Sequence, residues 1–403
     1  MTYLNAIKYL RSLSGSNDIP NDPSILERMR VACNHFGYAI RPIRCIHVCG
    51  DVGKDSCCLM LSSILQNAPY KVGRYSLSAS DDFQNCISSN GKKITYSDFT
   101  DIITALYRFY KTNFKEQTPH RNEILTLAAI HYFQKEKCDV AIFEKSHSKY
   151  DPVNITGAPV VSLITPFMER QIKENFFENI IHKGTTETVS SPQHKEIYNA
   201  ISVACSLAGS RLTIPIYSET EIEKITLFKT FFKYRNNNYS VKSFSPCQTI
   251  NAITAIEAAN SLNRAGANIS DEAIAKGIAT AYLDGKCETI SLNPTIILSS
   301  SWEKERLDTL LASLAQINEY LPHKISFYIG TESNISIPEF SALLSARNIS
   351  HVDISETSQA DDIIKDLIPA QDSLTPQDRA AVFIGNRDFI SKTKSTILKL
   401  LGT

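Results

Sequence analysis

The chain has 403 residues, and its Lys and Arg equal its Asp and Glu at 42 each, for no net charge at pH 7. That length accommodates two or three domains, each with its own core. The charge balance excludes an extended nucleic-acid-binding face, which needs a basic excess, and leaves room only for a local basic pocket. No segment approaches the roughly 18 unbroken apolar residues of a membrane span.

The opening "MTYLNAIKYLRSL" (1–13) lacks the apolar core and small-residue cleavage site of a signal peptide. The ten cysteines are scattered, mostly among apolar neighbours and without a C-x-x-C pair, which reads as buried thiols in a reducing, cytosolic compartment rather than disulfides or zinc. "IRCIHVCG" (43–50) alternates like a strand, and a long apolar helix follows its glycine. The polar, turn-rich segment 74–99 reads as an excursion from a sheet. Asn122 to Lys135 is a helix leading into the short strand "CDVAIFE" (138–144), and "APVVSLIT" (158–165) is a third strand. "NAITAIEAANSL" (251–262) is strongly helical. Strands separated by helices imply a parallel sheet covered on both faces.

Past Glu288 the pattern restarts. Strands are expected at 294–300, 324–330, 351–355 and 380–385, with helices at Ser301–Leu321, Pro338–Asn348, Asp361–Leu367 and Ser391–Leu401. This is an α/β chain with a large, P-loop-type, mostly parallel domain over 1–290 and a smaller Rossmann-like domain over 291–403.

The turn after the first strand carries Gly50, Gly53, Lys54 and Ser56. A phosphate cradle needs such a strand, glycine turn and helix, because glycines let backbone N–H groups approach the phosphates at a helix N-terminus. Lys54 would reach the terminal phosphates and the Ser56 hydroxyl would bind magnesium. Asp51 and Asp55 complicate the motif. Two like charges about 4 Å apart repel by roughly 1 kcal/mol in water and about 4 kcal/mol at an effective dielectric near 20. Three roles are open to these acids: repelling a nucleotide, bridging to it through magnesium, or standing in solvent at the helix start. His47 reads as a packed or hydrogen-bonded histidine. His147, flanked by Ser146 and Ser148, lacks the third partner of a nucleophile.

With this loop in place the chain resembles the folylpolyglutamate synthase branch of the Mur ligase family, whose loop reads G-T-N-G-K-G-S. "YKVGRYSLSAS" (70–80) resembles Y-K-V-G-x-Y-T-S-P-H, and "NGKKITYSDF" (90–99) resembles N-G-x-x-I-x-x-x-x-F. "CDVAIFE" resembles the strand that ends in a metal-binding glutamate, here Glu144, with Asp151 and Asn154 echoing a later D-x-x-N. "PCQTINAITA" (246–255) resembles H-Q-x-x-N-A-x-x-A, which would put Gln248 and Asn251 beside a nucleotide. "DGKCE" (284–288) resembles a P-G-R-x-E turn, with Lys286 in place of the arginine. Lys183 is a candidate for the family's carbamylated lysine.

The resemblance implies ATP and magnesium as cofactors, with Ser56 and Glu144 as metal ligands and Lys54, Lys183 and Lys286 as catalytic cations. It implies joining an amine to a carboxylate, glutamate to a folate-like acid, through an acyl phosphate. Several chemical positions depart from the family. Arg170 and Gln171 in "ITPFMERQ" (164–171) stand where I-T-x-x-G-x-D-H has Asp and His. "SSSWEK" (299–304) replaces D-G-A-H-N-P, with Glu303 out of place and Trp302 suited to capping the vacated cleft. Three readings follow: a ligase with impaired or lost catalysis and weakened or lost ATP binding, an inactive relative that binds a protein partner, or a ligase for another acid–amine pair.

Overall fold

The computed structural model describes residues 1–15, 21–38, 43–76, 83–168, 176–300, 304–317, 320–321, 324–331, 336–347, 349, 352–357, 363–364 and 379–402. The chain forms two units, Met1–Tyr217 with Ile250–Ala281, and Ser218–Thr249 with Tyr282–Thr403. Among the described residues no helix is long and apolar enough to cross a membrane.

The first unit is built on an eight-stranded sheet. Its strands are β1 (Arg44–Cys49), β2 (Val72–Tyr75), β3 (Ile87–Ser89), β4 (Lys92–Lys93), β5 (Val140–Glu144), β6 (Val161–Ile164), β7 (Glu187–Ser190) and β8 (Arg211–Thr213), in the order β4-β3-β2-β5-β1-β6-β7-β8. All pairs from β2 to β8 are parallel, and β3 and β4 extend one edge antiparallel. Within segment 74–99, Ile87–Ser89 and Lys92–Lys93 extend the sheet edge rather than leaving the sheet, because Ile87–Ser89 pairs with β2. Helices α1 (Tyr3–Ser12), α2 (Ser24–Phe36), α3 (Lys54–Asn67), α4 (Tyr96–Asn113), α5 (Arg121–Lys135), α6 (Lys195–Ala208) and α8 (Asp271–Thr280) belong to this unit, as does α7 (Pro246–Arg264) from Ile250 onward.

Central parallel strands are covered on both faces, so β1 is buried from Cys45 to Cys49 and the apparent alternation hides a buried His47. Helix α5 starts in a capping box: Glu123 accepts from the His120 N–H at 2.7 Å and the His120 side chain accepts in return. The same carboxylate, fully buried, takes two bonds from Arg28 of α2, at 2.6 and 3.1 Å. Helices α3 and α8 approach closely at Gly277, where an added Cβ would lie 2.3 Å from the Ile64 Cα.

The second unit holds β9 (Thr220–Ile225), β10 (Thr230–Tyr234) and β11 (Asn237–Val241) as an antiparallel meander. Its main sheet joins β12 (Lys286–Leu292), β13 (Thr295–Ser299), β14 (Lys324–Gly330), β15 (Val352–Thr357) and β16 (Arg379–Ile384) in the order β12-β13-β16-β14-β15, with only β12 antiparallel. Helices α9 (Lys304–Gln316), α10 (Ile337–Ala346) and α11 (Arg387–Leu401) accompany it. A division of the chain at 290 and 291 cuts between paired residues, since Lys286–Leu292 forms a hairpin with Thr295–Ser299. Lys394 of α11 fastens the 284–288 turn, donating to Asp284 at 2.9 Å and to both Glu288 oxygens at 2.6 and 2.7 Å.

Candidate functional site

Strand β1 delivers the chain to the carboxyl edge of the sheet, where Gly50 and Gly53 turn it into α3. Both glycines are required. Gly50 (φ +140°) would place a Cβ 2.3 Å from Thr165 Oγ1, and Gly53 (φ +85°) would place one 2.6 Å from Asn251 Oδ1. The loop is docked on the segment after β6: the Asp51 and Val52 N–H groups donate to the Pro166 carbonyl at 3.0 and 3.3 Å. Gln193 braces that segment, donating to the Thr165 carbonyl at 3.0 Å and accepting from the Phe167 N–H at 3.1 Å. Gly53 supplies no side-chain cap, so the first turn of α3 presents backbone donors to an anion.

Lys54 folds back over its own loop. Its Nζ donates to the Gly50 carbonyl at 2.5 Å, lies 3.5 Å from the Asp51 carbonyl, and stands 4.0 Å from Glu144 Oε1. Glu144, buried at the end of β5, accepts from the Ser76 hydroxyl at 2.9 Å through its other oxygen. Ser56 is buried on the first turn of α3. The hydroxyl of Ser56 and the carboxylate of Glu144 are hard oxygen donors at one sheet edge, a set that suits magnesium completed by water and phosphate oxygens. Among the described residues no cluster of three or more His, Cys, Asp or Glu side chains is placed to hold a metal without such help.

Neither loop aspartate stands free in solvent. Asp51 Oδ2 accepts from the Met168 N–H at 2.8 Å, fixing the loop to the 166–168 segment. Asp55 Oδ1 lies 3.6 Å from Arg74 Nη1 of β2. Both negative charges are thus answered within the fold, and the repulsion expected from the sequence is correspondingly reduced.

Successive side chains of a strand point to opposite faces, so Lys145 leaves the sheet on the other side from Glu144. It is fully buried, and its Nζ donates to Asn154 Oδ1 at 2.5 Å and to the Asn179 carbonyl at 2.8 Å. Burial pushes its pKa down while nearby Asp151 opposes the shift. Burial raises the pKa of Asp151, against the pull of Lys145 and of its bonds from Ser146 and Val153. His182 Nε2 donates to Asn154 Oδ1 at 3.1 Å, and burial, reinforced by the Lys145 charge, lowers its pKa to about 4. His47 is held well below the ordinary histidine range by burial, then by Lys145 and His182. The Thr156 hydroxyl donates to the Val153 carbonyl at 2.8 Å, so His47 Nε2 carries the proton that it shares with Thr156 at 2.7 Å. His147 packs on the Phe176 ring at 5.1 Å, and Ser146 is committed to Asp151.

The structure gathers Gly50, Gly53, Lys54, Ser56, Glu144 and Asn251 into the first unit. Gln248 is buried and Lys286 half-buried in the second unit, described separately from that loop. Lys183 is exposed in the turn before Gly184, and among the described residues it has no hydrogen bond or ion pair. Arg170, Gln171, Trp302 and Glu303 lie outside the described residues. Sequence reasoning missed Arg74, Ser76 and Lys145. The available signal was a charge inside an apolar strand run, in "KVGRY" and "AIFEK".

No family model matches the chain. It is 25% identical over 319 residues to the dihydrofolate synthase/folylpolyglutamate synthase of Bacillus subtilis, covering 72% of each chain. The apo form of L. casei folylpolyglutamate synthase matches the fold with a TM-score of 0.78 at 17% identity, covering 100% of both chains. The Mycobacterium tuberculosis folylpolyglutamate synthase complexed with ADP matches with a TM-score of 0.75 at 17% identity, covering 99% of this chain and 98% of that one. In fold the chain is similar to the folylpolyglutamate synthases over its whole length, and in sequence it is similar to one of them over 72% of its length.

Proposed function

We propose that the chain binds magnesium and ATP on the acid–amine ligase plan of the folylpolyglutamate synthases, and adds glutamate to a folate-like acid with impaired catalysis. The observation that carries this reading is the loop itself. Lys54 is held 2.5 Å from the Gly50 carbonyl and 4.0 Å from Glu144, with both loop aspartates already partnered. Bound ATP would supply the phosphoryl group that activates the carboxylate, with magnesium on Ser56 and Glu144. Lys54 would exchange its carbonyl partners for phosphate oxygens, while Gly50, Gly53 and Asn251 shape the cradle. Gln248 and Lys286 are assigned to the nucleotide by resemblance. Lys183 is assigned no step.

Impairment follows from the missing histidine and the replaced "SSSWEK" segment. A second reading, an inactive relative that binds a protein partner, is favoured by the same losses, Arg170 and Gln171 in place of Asp and His and "SSSWEK" in place of D-G-A-H-N-P. Calorimetry with Mg-ATP separates the readings. Binding by the wild type that Lys54→Ala removes, with ADP release dependent on folate and glutamate, supports the ligase. Binding without such release supports the inactive relative, and no binding refutes the nucleotide site.

A further inference from the structure

Resting on the reading that this face binds Mg-ATP, we propose that Arg74 is an anion-binding residue of the same face. Its ligand is an oxyanion of the reacting pair, either the carboxylate of the acid or the terminal phosphate of the nucleotide.

The placement comes from strand register. Arg74 pairs with Ile142 of β5, and Ser76 and Glu144 follow each of them by two residues. All four side chains therefore share a face, and the bond from Ser76 to Glu144 at 2.9 Å agrees. That face carries α3, whose first turn brings Asp55 to 3.6 Å from Arg74 Nη1. The distance exceeds a hydrogen bond. The Arg74 side chain is only 14% exposed, yet among the described residues its guanidinium makes no hydrogen bond.

An arginine present only to neutralise an acid closes on it, as Arg28 does on Glu123 at 2.6 Å and Arg264 does on Glu187 at 2.8 Å in the same unit. Arg74 instead keeps its planar fork of N–H donors open, the geometry that takes a carboxylate or phosphate by two parallel bonds. Asp55 holds the charge in place without saturating it. In the related loop G-T-N-G-K-G-S a glycine stands where this chain has Asp55, so the Asp55–Arg74 pair is a feature of this chain.

The test uses the full chain as wild type, Arg74→Met, Arg74→Lys and the double variant Asp55→Asn with Arg74→Met. Each is titrated with Mg-AMPPCP alone, with folate in the presence of Mg-AMPPCP, and with inorganic phosphate followed by thermal unfolding. Arg74→Met is expected to weaken one partner by about 10- to 100-fold, as loss of charged hydrogen bonds would. Weakened folate with unchanged AMPPCP identifies the carboxylate, and weakened AMPPCP identifies the phosphate. Arg74→Lys should recover only part of the loss, since an ammonium lacks the fork.

The double variant separates binding from neutralisation. Wild-type affinities in the double variant, or Arg74→Met within twofold of wild type in all three titrations, overturn the proposal. If the wild type binds no nucleotide, the functional reading above fails, and the phosphate titration still decides Arg74. Saturable stabilisation that Arg74→Met abolishes supports it, and equal responses refute it.

Discussion

Gly277→Ala puts a single methyl group at the closest approach between α8 and α3. The added Cβ would stand 2.3 Å from the Ile64 Cα and 2.6 Å from the Ile64 N. Carbon atoms in contact sit roughly 3.5–4.0 Å apart, so the helices must separate by on the order of 1 Å or more. The obstacle is backbone of a fully buried residue, and no side chain can rotate away. Overpacking of this kind costs about 1–3 kcal/mol and occasionally more. Alanine recovers up to about 1 kcal/mol through its better helix propensity. Because the clash is with backbone, the upper end of about 3 kcal/mol applies, which less about 1 leaves a net loss of about 2 kcal/mol, and for a domain of about 150–250 residues each kcal/mol lowers Tm by roughly 2–4 °C. Because α3 begins at Lys54, the displacement should also weaken Mg-ATP binding. Differential scanning calorimetry on wild type, Gly277→Ala and the exposed neighbour Lys276→Ala measures the first effect, and titration calorimetry the second. An unchanged or raised Tm for Gly277→Ala would refute the close approach, since propensity alone would then have decided the outcome.

Arg28→Met leaves the Glu123 carboxylate buried without its cation, a loss of about 3–5 kcal/mol in a denaturant titration, and Arg28→Met with Glu123→Met should restore more than half of it. The pH dependence follows from His182, whose pKa falls from an ordinary 6.5 to about 4 in the fold. Between those values the unfolded chain binds a proton that the folded chain refuses, so stability is lost as pH drops from about 6.5 toward 4. His182→Gln should flatten the slope of Tm against pH in that window, and His47, shifted in the same direction, should keep it from vanishing. Gly53→Ala strains a backbone at φ +85° and meets Asn251, and a loss of about tenfold or more in Mg-ATP affinity is expected by calorimetry.

The sheet was legible because its strands are short apolar runs between helices, and β1, β5, β6, β13, β14 and β16 fall within a residue or three of the expected ranges. The two-residue β4 and three-residue β3 were not, because isolated runs of that length carry no periodic signal. At the site, Lys54 and the two glycines follow from local chemistry. The partners of Asp51 and Asp55 do not, since Met168 lies 117 residues away along the chain and Arg74 belongs to a different strand. A two-domain division near residue 290 was legible, but the excursion of residues 218–249 was not. Residues 218–249 look like part of a continuous larger domain until β9–β11 are seen to group with the second unit.

That interruption bears on how the chain is made. The last strand of the large sheet ends at Thr213, whereas α8, which packs on α3, ends at Thr280. At about 5–20 residues per second a ribosome needs several seconds to cross that gap. During the delay the apolar side of α3, with Ile64 and Leu61, has left the exit tunnel without its cover, and a nascent chain stalled there should recruit chaperones that the finished protein ignores.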